Sequence, residues 1–182
     1  EHISTYSLEL KPNTLLSLKG YTTIDEELDY KMYKYIIHKL THNGYNHYEV
    51  SNFSKKGYES QHNLNCWHNQ EYYGFGLSAS GYYEGVRYTN TLNFNKYINN
   101  DLGSSKEIVS LEDKKYYELI LGLRLMQGLN LKDYQNTYDE DLLLNPKINS
   151  LLKSKELINK HGYIYINPKK IYIMDSILIK LV

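Results

Sequence analysis

The sequence predicts an α/β fold in two parts, and three observations support this prediction. Two strand-like segments at residues 2–10 and 47–53 enclose one long amphipathic helix. A polar, irregular stretch rich in glycine, histidine and asparagine lies between Tyr48 and Gly81. Three shorter helical patterns then precede a pair of β-branched and aromatic runs. The two parts are predicted to span residues 1–100 and 110–182, joined by a linker at 101–109.

The first part begins as a strand, because residues 2–10 alternate between two faces. Thr23 and Glu26 have the spacing of a capping box that opens the following helix, and Gly44 is placed to end it. A strand, a long helix and a second strand predict parallel pairing through a right-handed crossover. The helix presents one apolar face, formed by Leu28, Met32, Ile36 and Leu40.

The segment after the irregular stretch is predicted to turn back on itself. Tyr82–Thr89 has the pattern of a tight hairpin around Glu84-Gly85, and residues 94–98 are predicted as a short helix. The linker is placed at Asp101–Ser105, because turn-forming residues cluster there between two periodic segments.

The second part is predicted to be winged-helix-like. Ser110 with Asp113 opens a first helix, and Pro146 is well placed in the first turn of a third. Such domains often insert a helix into DNA, but acidic residues here offset the lysines, so protein packing or a lid role is favoured. The helices are predicted at residues 110–128, 131–138 and 146–162, and the hairpin strands at 163–166 and 171–174.

Composition excludes several classes of protein. Lysine and arginine number 21, as do aspartate and glutamate, so a nucleic-acid partner is not expected. No apolar run reaches the roughly 18 residues of a membrane-spanning helix and no secretory leader is visible, which predicts a cytoplasmic protein without a transmembrane segment. The single cysteine excludes an internal disulfide framework. The abrupt start in a strand suggests the C-terminal portion of a longer protein.

His62 is the first candidate for chemistry. A neutral imidazole can bind iron or act as an acid or base near pH 7, and Asn63 or Glu59 could fix which ring nitrogen is free. Trp67 and Tyr72-Tyr73 offer flat apolar area that suits a planar ligand. A histidine in a loop is more often structural, and these aromatic neighbours are what favour the functional interpretation.

The run from Gly74 to Gly81, GFGLSASG, is the second candidate. Small residues let backbone approach a ligand closely and leave N–H groups free to bind it. A dinucleotide fingerprint would need a following helix, whereas a hairpin is predicted here. Ligand contact and tight packing both stay open for this run.

Cys66 and Arg87 complete the candidates. An iron–sulfur site needs several thiolates, so the one cysteine is interpreted as a small buried side chain. Arg87 could pair with a carboxylate. The sequence shows no P-loop, no HExxH motif and no identifiable serine–histidine pair.

Three blocks of this chain resemble the C-terminal half of the HemW family, the radical-SAM haem chaperones related to oxygen-independent coproporphyrinogen III oxidase. The blocks are HISTYSLELKPNT, GYNHYEVSNFSKKGYESQHNLNCW and EYYGFGLSASGYYEGVRYTN. The resemblance implies the C-terminal part of a partial (β/α) radical-SAM barrel, followed by a small winged-helix-like α+β domain. It also implies S-adenosylmethionine and a [4Fe–4S] cluster in the full-length protein only, because the family's CxxxCxxC motif is absent here.

The resemblance further implies roles for residues. The family's HNxxYW-type motif, a segment proposed to matter for haem, becomes His62, Asn63 and Trp67, with Cys66 in place of its tyrosine. The glycine run resembles the family's GAGAHG pattern, with Ser80 in place of the histidine, which is slightly closer to the oxidase branch. The expected contacts to S-adenosylmethionine are Gly74, Gly76, Ser78, Ala79 and Gly81.

Three hypotheses follow. The first is a haem chaperone fragment that holds haem through His62 and delivers it to client proteins. The second is an oxygen-independent coproporphyrinogen III oxidase, in which the glycine run positions the cofactor and Arg87 meets a propionate. The third is a non-catalytic fragment whose winged helix docks another protein. No metal site is expected within this chain itself.

Overall fold

The computed structural model describes residues 1–101, 103 and 105–181, so Leu102 and Ser104 of the predicted linker and the terminal Val182 lie outside the described residues. In chain order the strands and helices are β1 (His2–Ser4), α1 (Leu15–Leu18), α2 (Glu26–His42), β2 (Asn46–Glu49), β3 (Asn52–Ser54), α3 (Gln61–Trp67), β4 (Ser80–Tyr83), β5 (Val86–Thr89), α4 (Phe94–Ile98), β6 (Ser105–Ile108), α5 (Leu111–Gly122), β7 (Leu129–Asn130), α6 (Leu131–Tyr138), α7 (Pro146–Lys153), β8 (Leu157–Lys160), β9 (Tyr163–Ile166) and α8 (Met174–Leu178). Short 3-10 helices occupy Leu142–Leu144, Pro168–Ile173 and Ile179–Leu181.

The first sheet corrects the expected parallel pairing. Its order is β1-β3-β2, and β3 pairs antiparallel with both neighbours. The predicted strand at residues 47–53 breaks at Val50-Ser51 and folds back as a hairpin, so β3 occupies the edge of β1 that a crossover strand would have used. The first strand is also shorter than predicted and ends at Ser4.

The N-cap of helix α2 is Asp25, two residues after the predicted cap at Thr23. The Asp25 carboxylate accepts hydrogen bonds from the backbone N–H groups of Glu27 (2.9 Å) and Leu28 (3.1 Å), so the predicted capping role of Thr23 is wrong. Gly44 follows the helix end with φ of 74°, a conformation that suits glycine. No residue of α2 is fully buried, so its apolar face is only partly covered.

The second sheet confirms the predicted hairpin and adds a strand. β4 and β5 pair around Glu84 and Gly85, whose φ values of 49° and 73° match the turn that strand twist prefers. β6, which lies inside the predicted linker, pairs with β5. The short helix predicted at residues 94–98 is present as α4.

The second part has the winged-helix order of three helices and a hairpin, but two predicted elements are wrong. The predicted third helix, 146–162, ends at Lys153, and Leu157–Lys160 form the strand β8 instead. The capping box of Ser110 and Asp113 is confirmed at the start of α5. The hairpin joins β8 to β9 through His161-Gly162, and β7 also pairs with β9. Residues 171–174, predicted as a strand, are helical instead.

The main hydrophobic core lies in this second part. It includes the fully buried Leu123, Ile148, Ile164 and Ile177. The first sheet contacts this second part through a backbone hydrogen bond, which the N–H of Val50 donates to the carbonyl of Arg124 (3.1 Å). Glu49 forms a β-bridge with Leu125 beside that bond. Within the described ranges, no helix is long and apolar enough to cross a bilayer.

Candidate functional site

Helix α3 carries the histidine, asparagine and tryptophan of the predicted site, so the expectation that this stretch is an irregular loop is wrong. Ser60 caps its start by accepting a hydrogen bond from the Asn63 N–H at 3.3 Å. Since a helical turn takes 3.6 residues, His62 and Cys66 share one face, whereas Asn63 and Trp67 share the next. The two faces have different neighbours.

His62 lies on the exposed face. Its Nε2 atom is 4.0 Å from the Sγ of Cys66, and its ring meets the Tyr72 ring edge-on with centroids 6.0 Å apart. The imidazole is therefore open to solvent rather than sealed in aliphatic packing. An external ligand can reach it, and one aromatic ring stands beside it.

Asn63 faces the protein instead. Its side chain lies near the hydroxyl of Tyr48. The same hydroxyl accepts from the Ser60 N–H at 3.3 Å and lies 2.8 Å from the Nε2 of His2. Burial raises the pKa of Tyr48 above its ordinary value, which is already well above neutral pH, and Asn63 opposes part of that rise. This network fastens the start of α3 to the first sheet.

Trp67 is half-buried where the two parts meet. Its indole N–H is shielded from solvent and lies near the Glu49 carboxylate without the geometry of a full hydrogen bond. The guanidinium of Arg124 stands over the indole ring at 5.7 Å. Trp67 thus packs inward and does not share the exposed face of His62.

Arg87 is engaged by the protein on three sides. Its guanidinium carbon lies 4.5 Å from the ring centroid of Tyr82 and 4.4 Å from that of Tyr117. It also donates to the Asn69 side-chain oxygen at 2.6 Å. Burial raises the pKa of the Cys66 thiol, and the charge of Arg87 offsets part of that rise. Arg87 therefore supports the end of α3, and a carboxylate ligand would have to compete with these contacts.

Protein groups fasten the glycine run. The amide of Asn90 donates to the carbonyl oxygens of Gly74 (3.2 Å) and Gly76 (2.9 Å). The N–H of Ser78 donates to the Thr91 carbonyl at 3.1 Å, and the N–H of Ala79 donates back within the run. Four of the five predicted cofactor residues, Gly74, Gly76, Ser78 and Ala79, thus have backbone groups already bonded to protein.

Close packing explains two of these glycines. A side chain at Gly74 would meet the backbone of Ser80 and Gly81, and one at Gly81 would meet the ring of Tyr88. The Tyr88 hydroxyl accepts a hydrogen bond from the Gly74 N–H at 2.9 Å. The structure links the run to His62 only indirectly, through Tyr72, which bridges to Tyr82.

The structure contains a buried polar cluster that the sequence interpretation missed. Glu49, Asn52 and Ser54 are almost fully buried on the first sheet, and one Glu49 oxygen and the Ser54 hydroxyl have no partner among the described residues. Burial raises the pKa of Glu49, although bonds from Asn52 and the Ser51 N–H oppose the rise. The polar residues in the strand-like segment YEVSNFS could have indicated this cluster. Ser4 donates to Asn52 across the sheet.

The residues present do not fit an iron–sulfur cluster. Such clusters take several thiolates, and the chain has one cysteine. Within residues 1–101, 103 and 105–181, no group of three or more histidine, cysteine, aspartate or glutamate side chains is arranged to hold a metal ion. A single exposed imidazole, by contrast, fits an axial ligand to haem iron.

The fold resembles that of a solved structure. The chain aligns over 98% of its length with 47% of a solved structure, at a TM-score of 0.75 and 13% identity. That structure is the coproporphyrinogen III oxidase HemN of Escherichia coli, described as a radical SAM enzyme. The predicted fold class is confirmed as part of a radical-SAM fold, and the described sheets do not close into a barrel.

Curated relatives share sequence with this chain. The chain is 35% identical over 177 residues to the haem chaperone HemW of Lactococcus lactis, and 36% identical over 179 residues to that of Bacillus subtilis. These alignments cover 92% and 91% of the chain but 47% of each relative. No protein-family model matches the chain. The predicted resemblance to the HemW haem chaperones is confirmed, and the chain spans about half the length of these relatives.

Proposed function

We propose that this chain is part of a HemW-like haem chaperone, which binds haem through His62 and passes it to client proteins. The observation that carries the proposal is the exposed imidazole of His62 beside the Tyr72 ring. Haem as ligand is suggested by the name of the relatives, haem chaperone HemW.

The surroundings of His62 suit an axial ligand. A neutral imidazole nitrogen can donate its lone pair to haem iron, and among the described residues the polar contact of Nε2 is the Cys66 sulfur at 4.0 Å. The helix that carries it is fastened from behind through Asn63, Tyr48 and Ser60. In this proposal Asn63 and Trp67 position α3, and they do not touch the ligand.

We assign S-adenosylmethionine and the [4Fe–4S] cluster to the full-length protein only. S-adenosylmethionine supplies radical chemistry when it binds beside such a cluster, and this chain lacks the thiolates for one. The backbone bonds and packing of the glycine run argue against a cofactor contact through its N–H groups. We also propose a cytoplasmic location, because the single cysteine suits a reducing compartment.

Haemin titration tests the proposal. Adding haemin to the purified chain should shift the Soret band, and His62→Ala should weaken binding at least about tenfold, or about 1.4 kcal/mol. His161→Ala is the matched control, because His161 is also exposed but lies in the distant β8–β9 turn. Equal spectra and affinities for the wild type and His62→Ala would remove His62 from the site. Transfer of the bound haemin to apomyoglobin would support delivery.

The alternative is an oxygen-independent coproporphyrinogen III oxidase. The Ser78-Ala79 pair in the glycine run favours it, since that pair resembles the oxidase branch. An anaerobic assay of the full-length protein with reductant, S-adenosylmethionine and coproporphyrinogen separates the two functions. Protoporphyrinogen formation would support the oxidase, and its absence together with haem transfer would support the chaperone.

A further inference from the structure

A small cavity lies where α3 meets the second part of the chain. It encloses about 160 Å³, and its lining comes from Trp67 at the end of α3, from α5, from the segment 127–130, from α6 and from β9. Pockets for drug-sized or planar organic ligands measure about 300–1,000 Å³, so this cavity is too small for one. Since water occupies about 30 Å³ per molecule in the liquid, the cavity has room for about five waters or for one side chain.

The lining of this cavity is acidic. Glu118 and Asp133 contribute carboxylates, and no lysine or arginine within the described part of the chain lines the cavity. The Tyr138 hydroxyl donates a hydrogen bond to Glu118 at 2.5 Å, but a protonated phenol carries no charge that could balance the carboxylate. His68, which also lines the cavity, is exposed to solvent. A cavity lined by one sign of charge attracts the opposite sign, so this one is suited to a cation.

One wall of the cavity is aromatic. The indole of Trp67 already accepts a guanidinium, because that of Arg124 stands over its ring at 5.7 Å. Arg124 itself is not part of the lining, and it forms a 2.6 Å ion pair with Asp175. A guanidinium has a flat, weakly hydrated face and five N–H donors, whereas an ammonium is a compact and strongly hydrated charge. An aromatic wall beside two carboxylates therefore favours arginine over lysine.

We propose that this cavity binds the side chain of an arginine from a partner polypeptide, with the guanidinium bonded to the carboxylates of Glu118 and Asp133 and lying against Trp67. The fixed fork of N–H groups matches carboxylate oxygens, and the indole covers a face of the guanidinium. Contacts of this kind are among those that contribute most to affinity at protein interfaces. An arginine held here would join α3 to α5 and α6. The inference does not depend on haem or on His62.

Fluorescence titration tests the proposal, because Trp67 is the only tryptophan of the chain and lines the cavity. The probe is N-acetyl-arginine amide, which presents the side chain as a polypeptide does. N-acetyl-citrulline amide is the matched control ligand, because a urea group replaces the guanidinium with little change of shape and no charge. At constant ionic strength, the arginine derivative should shift the Trp67 emission saturably, with a Kd of about 1–10 mM. The citrulline derivative should bind at least about tenfold more weakly.

Charge removal locates the contact. Glu118→Gln and Asp133→Asn should each weaken binding of the arginine derivative at least about fivefold, and circular dichroism checks that both variants stay folded. Asp141→Asn is the matched control and should bind as the wild type does, since Asp141 is also exposed but caps the 3-10 helix at Leu142–Leu144 and does not line the cavity. A titration without saturation, equal binding of the two derivatives, or equal loss with Asp133→Asn and Asp141→Asn would overturn the proposal. Binding of free arginine without binding of the capped derivative would also overturn it, since the ligand would then be a small metabolite.

Discussion

Replacing Gly81 by alanine measures whether the glycine run is built for packing. Gly81 lies in β4, and its backbone does not occupy the left-handed region, so alanine brings no strain in φ. A Cβ atom there would lie 2.7 Å from Cε1 of Tyr88 and closer still to the phenol carbon and oxygen. Carbon atoms normally approach to about 3.5–4.0 Å, so the Tyr88 ring would have to move by about 1 Å.

The cost can be worked out from that displacement. Overpacking a well-filled site costs about 1–3 kcal/mol of unfolding free energy. Moving Tyr88 also weakens the hydrogen bond that its hydroxyl accepts from the Gly74 N–H at 2.9 Å, which adds about 0.5–1.5 kcal/mol. The expected sum of about 1.5–4.5 kcal/mol corresponds to a Tm lower by about 3–18 °C for a chain of this size.

The assay is thermal and denaturant unfolding without any added ligand. Trp67 is the only tryptophan, so its fluorescence and far-ultraviolet circular dichroism report the same transition with two probes. In a Tyr88→Ala background the obstacle is gone, and Gly81→Ala should then cost less than about 0.5 kcal/mol. A cost in the wild type below that value, or a cost that Tyr88→Ala leaves unchanged, would refute the packing interpretation.

Two further predictions concern stability. Burial lowers the pKa of His47, so its imidazole stays neutral in the folded chain while it protonates in the unfolded chain; stability should therefore fall as the pH drops below about 6.5, by at most about 1.4 kcal/mol per pH unit from this group. In the His47→Gln variant, the free energy of unfolding should change less with pH below about 6.5. An unchanged slope would contradict the assignment. Asp175→Ala should lower the free energy of unfolding by less than about 1 kcal/mol, because the Asp175 carboxylate in its 2.6 Å ion pair with Arg124 is largely exposed. Arg124→Ala should lower the free energy of unfolding more than Asp175→Ala does, and it should shift the Trp67 fluorescence because it removes the cation over the indole. Equal effects of the two variants would contradict this account.

The predictions that succeeded depended on local chemistry. Ser110 and Asp113 form their capping box within four residues, and Pro146 opens α7 because its fixed φ suits a first helical turn. The Glu84-Gly85 turn likewise needs only two residues that tolerate positive φ. Neighbours in the chain are sufficient to determine such features.

Apart from the cap at Thr23, whose place Asp25 takes, the predictions discussed here failed in choosing which strands pair. Tyr163–Ile166 can pair with an apolar run on either side, and the sequence interpretation chose the later one. In the structure β9 pairs with β8, since His161 and Gly162, with φ of 55° and 81°, make the tight turn that matches strand twist, whereas Pro168 starts a 3-10 helix. The fold-back of β2 onto β3 was missed for the same reason.

By itself, the sequence determined the positions of α2, α4 and α6, the capped start of α5 and the start of α7 at Pro146, and that His62 stands in a segment shared with haem chaperones. Tertiary structure alone decided that His62 faces solvent while Asn63 and Trp67 face the protein, and that Arg87 is enclosed by Tyr82 and Tyr117. The physical reason is range. Caps and turns arise from contacts a few residues apart, but the exposure of a side chain depends on which remote surface packs behind its helix.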